Sequence, residues 1–151
     1  MKYASNTSVN SSQSRAEIER TLVRYGASSF MYGWDQEHAI IAFEMNDRRI
    51  KFLLPMPSKE EFRRTPSKRQ LRSPAAVEKA YEQAVKQRWR ALALVIKAKL
   101  EAVESGISVF ENEFLAQIVL PNGGTVGDFM IPQIATAYES GAMPPLLPAP
   151  K

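Results

Sequence analysis

The residues that could do chemistry here are cations. Between Lys59 and Lys99 the chain carries twelve Lys/Arg and four Glu, a local net charge of +8; the remaining residues carry a net −4. A concentrated basic element on a mildly acidic body is the footprint of a polyanion partner. Two groups make up the cluster. Arg63, Arg64, Lys68, Arg69 and Arg72 lie in a connector, and Lys79, Lys86, Arg90 and Lys97 lie in a helical run. At 100° per residue the latter four project within about 40° of one another, forming a straight cationic stripe. Connector and stripe together could follow one phosphate backbone.

Two further cations break the helical pattern. Arg88 and Lys99 point into the apolar sector, about 16 Å apart along the axis. A cation on a buried face needs a counter-charge or an anionic ligand. Two outcomes are open: an internal ion pair to Glu44, Glu111 or Glu113, or a ligand pocket. In the pocket Arg88 would grip a phosphate as a fork while Trp89 or Tyr81 stacks on a base.

Other chemistry is thinly represented. There is no cysteine, and His38 is the single histidine, which excludes thiolate and multi-histidine metal sites. Glu111 and Glu113 would diverge on a helix, and Asn122-Gly123-Gly124 lacks the spacing of a phosphate loop. No nucleophile–base pair or acid–base dyad assembles. The expectation is a protein without catalytic residues, metal or cofactor. Tyr25, Phe30, Tyr32 and Trp34 are aromatics for a core or a stacking platform.

The elements that must position these groups read as an α+β fold in a single domain, residues 14–141, with a flexible polar arm over 1–13 and a Pro-rich tail over 142–151. Ser14 and Glu17 have capping-box spacing, predicting a short first helix over about 15–25 that Gly26 stops. Strand-like runs at 29–34, 38–45 and 49–54 make an antiparallel meander. Ala39, Ile41, Phe43, Met45, Ile50, Phe52 and Leu54 point inward, and Asn46-Asp47 forms a tight turn.

Ser73 as N-cap and Pro74 at the first position open a helix of about thirty residues, ending before Gly106. Val77, Tyr81, Ala84, Val85, Leu92, Val95, Ile96 and Val103 are its expected core face. The run 91–96 is apolar all round, which predicts cover on both sides and a homodimer or higher oligomer. Short C-terminal helices or a hairpin follow: a capping box at Ser108–Glu111, a turn at 122–124, and a last helix or two pieces over 126–139.

The segments Arg88-Trp-Arg-Ala-Leu-Ala-Leu-Val-Ile-Lys-Ala-Lys-Leu-Glu-Ala-Val-Glu-Ser-Gly-Ile107, Phe110-Glu-Asn-Glu-Phe-Leu-Ala116 and Val119-Leu-Pro-Asn-Gly123 resemble a small protein family encoded by bacteriophages and prophages. The likeness runs from Arg24-Tyr-Gly-Ala27 to Met143-Pro-Pro-Leu-Leu147. It implies an accessory protein acting on nucleic acid, host enzymes or host defence signals, and it supplies no catalytic residues. The order helix, three strands, helix is also similar to a double-stranded-RNA-binding domain, although the second helix here is about twice as long and lacks a lysine cluster at its start.

The functional expectation is a non-enzymatic phage-type accessory protein binding nucleic acid through phosphates, in replication or counter-defence. One alternative is a sponge for a nucleotide second messenger at an oligomer interface, near Tyr81, Arg88, Trp89 and Lys99. Another is a protein–protein inhibitor of a host enzyme. With no secretory signal and no apolar run of about 18–20 residues, the expected setting is the (host) cytoplasm, without a membrane partner.

Overall fold

A computed structural model describes residues 2–143, with side chains from Ser12 onward. Its elements are helix α1 (Lys2–Arg24), strands β1 (Ser29–Trp34), β2 (His38–Met45) and β3 (Arg48–Pro55), a 3-10 turn (Lys59–Phe62), helix α2 (Pro74–Glu104), helix α3 (Phe110–Glu113), a second 3-10 turn (Leu115–Gln117), and helix α4 (Val126–Ser140). The three strands form one antiparallel sheet in the order β1-β2-β3. This is the α+β meander with one long helix that the residue pattern predicts.

The β2–β3 turn follows from Asn46 and Asp47, which adopt φ of 52° and 59°. These are the left-handed conformations that a two-residue hairpin requires. The alternation holds as well. Ala39, Ile41, Phe43, Met45, Ile50 and Phe52 are buried, packed with Ile18 and Leu22 of α1, the inner face of α2, and Phe110 and Phe114. Phe114 meets Phe43 and Phe52 edge-on, with ring centroids 5.9 and 6.3 Å away.

Helix α2 has the predicted limits. The Ser73 hydroxyl accepts the Ala76 N–H at 3.2 Å, Pro74 occupies the first turn, and Gly106 at φ 81° ends the run. Its thirty-one residues make a rod of about 45 Å.

Four expectations are corrected. Helix α1 starts at Lys2, so the backbone of residues 2–13 is helical rather than an arm. No Gly or Pro interrupts residues 2–24, and Ser14 is a buried mid-helix residue instead of a cap. The core face of α2 is rotated from the predicted one. Trp89, Ala93 and Leu100 are buried with Val85, Leu92 and Ile96, whereas Val95 and Leu94 are exposed. Helix α1 lies along one flank of α2 and shifts the covered sector towards it, so this chain alone does not cover the rod on both sides.

The capping box at Ser108 does not form, because Val109 is the N-cap of the four-residue α3 and no side chain caps it. The box occurs instead at the start of α4. There Thr125 Oγ1 accepts the Asp128 N–H, and the Asp128 carboxylate accepts the Thr125 N–H. Helix α4 is continuous through Pro132 and closes at Gly141 with φ 71°. Beyond Met143 the Pro-rich tail lies outside the described residues.

Candidate nucleic-acid interface

Lys79, Lys86, Arg90 and Lys97 are all exposed on α2. Among the described residues none of them has a carboxylate within ion-pair distance. The four span about 27 Å of the rod. They run beside the seam with α1, where Lys86 and Arg90 line an open groove of about 300 Å³ together with Gln13, Ser14, Glu17, Ala93 and Leu94. Packing builds this groove. Ile18 and Leu22 of α1 are sunk into the core, which brings the Gln13–Glu17 turn alongside the middle of α2. Glu17 puts one negative charge into an otherwise cationic rim.

The connector is a small ordered loop. Arg64 and Leu71 form an isolated antiparallel bridge, and the Thr65 N–H donates to the Gln70 carbonyl at 2.9 Å. Arg69 sits at its turn with φ 55°. Several cations help fold it. Arg64 donates to the Arg69 carbonyl at 2.9 Å, Arg72 to the Phe62 carbonyl at 3.1 Å, and Arg63 pairs with Glu60 at 2.8 Å. Carbonyl acceptors leave the charges of Arg64 and Arg72 in place. The glutamate offsets that of Arg63. Lys68 and Arg69 are exposed.

Lys59 with Glu78 (2.9 Å) and Phe62 with Tyr81 (6.4 Å, edge-on) hold the connector to α2. Glu78 projects about 100° around the helix from Lys79. The connector is therefore anchored to α2 on a different flank from Lys79.

The four residues of the expected ligand pocket do not converge. Arg88 donates to the Pro55 carbonyl at 2.7 Å, tying α2 to the end of β3. Trp89 is only 4% exposed and belongs to the core. The Arg15 guanidinium lies between it and Tyr32, 5.9 Å from the Trp89 ring and 4.3 Å from the Tyr32 ring. Tyr81 packs on Phe62 beneath Lys59. Lys99 donates to the Glu113 carbonyl at 2.8 Å and lies 3.5 Å from its carboxylate. Both inward cations thus have internal partners: Lys99 meets one of the three glutamates named from the sequence, whereas the carbonyl acceptor of Arg88 leaves its charge in place.

Two carboxylates are held below their usual range by local hydrogen bonds. Asp35 accepts the N–H groups of His38 and Glu37 in the β1–β2 turn. Asp128 accepts from Thr125 at the α4 cap. Both serve backbone geometry.

Residue types alone did not indicate the groove wall formed by Gln13, Ser14 and Glu17, because the position of α1 on α2 is a tertiary outcome. Among the described residues, no helix is long and apolar enough to cross a membrane, and no cluster of three or more His, Asp or Glu could hold a metal. No protein-family model, curated protein or solved structure matches the chain.

Proposed function

We propose that this chain is a non-enzymatic nucleic-acid-binding protein that grips backbone phosphates along α2. Its phage-family resemblance suggests an accessory role in replication or counter-defence. The reading is supported by one observation: Lys79, Lys86, Arg90 and Lys97 stand in line on a rigid helix, exposed and without a carboxylate partner among the described residues. Four aligned cations on a preformed rod bind phosphates without first breaking internal pairs. Lys68 and Arg69 of the connector add charge from a neighbouring flank. Such contacts position the protein without reading bases, so sequence preference is weak.

Charge reversal tests this. The combined variant Lys86→Glu, Arg90→Glu, Lys97→Glu is expected to abolish binding to mixed-sequence duplex DNA or RNA in an electrophoretic shift assay, with unchanged circular dichroism. Retained binding contradicts the proposal. Material absorbing at 260 nm that co-purifies as polymer supports it, and co-purifying mononucleotide favours the sponge alternative.

A second reading, a protein–protein module, draws support from α4. Only Val126 and Gly127 of that helix are buried, while Ile131 is 65% and Tyr138 is 87% exposed. An apolar helix face left open in this way is a common protein-docking surface.

A further inference from the structure

Strand β1 is an edge strand whose outward side is left open. On the opposite edge, β3 is protected: Ile50 bridges Ile118, and the Val119 N–H donates to the Arg49 carbonyl at 2.8 Å. Along β1 no described strand takes the outer position. Its sequence, Ser-Phe-Met-Tyr-Gly-Trp, holds no charge and no proline, the usual devices that prevent edge pairing.

The hydrogen-bond phase of β1 is fixed. Asp35 N–H donates to the His38 carbonyl at 2.8 Å, and in the same register Met31 faces Ala42 and Gly33 faces Ile40. Antiparallel alternation then turns the N–H and C=O groups of Met31 and Gly33 towards β2. It aims those of Phe30, Tyr32 and Trp34 at the free edge.

From this we infer that β1 pairs antiparallel with β1 of a second copy, about a two-fold axis at Tyr32, joining two sheets into one of six strands. That register places Tyr32 opposite Tyr32, and Phe30 opposite Trp34, of the second copy. It matches all the outward N–H and C=O groups of these residues with one another. Shifting the axis to Met31 leaves those of Trp34 unmatched.

Side chains fit the same register. Met31, 66% exposed on the face away from the helices, falls opposite Gly33 of the second copy. A Cβ at Gly33 would meet nothing within 4 Å, so the glycine offers a vacant seat that the methionine covers. The paired residues are close neighbours in a non-hydrogen-bonded pair. On the helix-covered face the junction becomes a ladder of aromatic pairs, which accounts for Trp34, 72% exposed in the single chain.

Light scattering on the purified chain is expected to give a mass near 34 kDa, twice the 17.0 kDa chain. The double variants Met31→Glu/Gly33→Glu and Met31→Lys/Gly33→Lys each place like charges directly opposite and should each run as 17.0 kDa monomers. Mixed in equal amounts, they recover the doubled mass as a heterodimer. A monomeric natural chain at 50 μM, a charge variant that stays dimeric, or a mixture that stays monomeric overturns the inference. Should the paired charges disturb the sheet, Tyr32→Cys in this cysteine-free chain decides the register. Opposite residues on the axis lie about 5.5 Å apart and oxidise to a disulfide-linked dimer. A Tyr32→Cys chain that stays unlinked overturns it too.

Discussion

Lys99 reaches across from the long helix to Glu113, its ammonium 2.8 Å from the backbone carbonyl and 3.5 Å from the carboxylate, over the Phe114 ring at 5.6 Å. One side chain thus fastens α3 to the rod. Both partners are about three-quarters buried, so the contact exceeds a solvated surface pair in worth. Lys99→Met is expected to lower stability by about 1–2 kcal/mol, read by urea denaturation. Its affinity for duplex DNA stays at the natural value. A large loss of binding with intact stability would instead restore Lys99 as a ligand residue.

The two tryptophans report opposite environments. Trp89 is 4% exposed and Trp34 72% exposed. With Trp34→Phe, the remaining emission is blue-shifted and resists acrylamide, and nucleotides leave it unchanged. Quenching of Trp89 by nucleotides would contradict its placement in the core.

The α4 cap carries a definite share of stability. Thr125 and Asp128 exchange hydrogen bonds of 3.2 and 3.1 Å at the first turn. Thr125→Ala removes one of them and costs about 1 kcal/mol, while Thr125→Ser retains most of it. Thermal melts of the two variants check the ordering.

Acid sensitivity follows from the same carboxylates. Asp35 and Asp128 are held below their usual value of 3.8 by hydrogen bonds to the charged form. A carboxylate whose folded value is depressed stabilises the fold above its unfolded value, and that stability is lost as pH falls through the folded one. The contribution is thus complete above about pH 5 and is lost progressively as pH falls past 3.8 and through the depressed folded values. Asp35→Asn with Asp128→Asn flattens the stability–pH curve in this window. An unchanged curve would assign the acid sensitivity elsewhere.

Among the described residues, Glu17 is the one acidic side chain lining the cationic groove beside Lys86 and Arg90. Replacing it with Gln removes a repulsion for phosphate. The expected result is roughly two- to fivefold tighter binding at low salt, shrinking as salt rises. Anisotropy titrations at two salt concentrations read both effects.

Local signals carried much of the fold. The Asn46-Asp47 turn, the alternation of β2 and β3, and the Ser73-Pro74 start of α2 each rest on chemistry within a few residues. What sequence reading missed depends on packing. Trp89 was absent from the expected core face and is buried in a sector shifted towards α1, a contact no single-helix projection contains. Ser14 resembled a cap, yet the chain before it continues as helix. The stripe was legible because it needs only helical periodicity. The anchoring of the connector was not, because that depends on where Lys59 and Phe62 dock.

The salt dependence of binding tests the central claim most directly. Four phosphate contacts predict a slope of about −3.6 for log affinity against log salt on duplex DNA. Lys86→Ala with Arg90→Ala should bring the slope to about −1.8. A slope near zero in the natural chain, or one that this pair of substitutions leaves unchanged, contradicts the account.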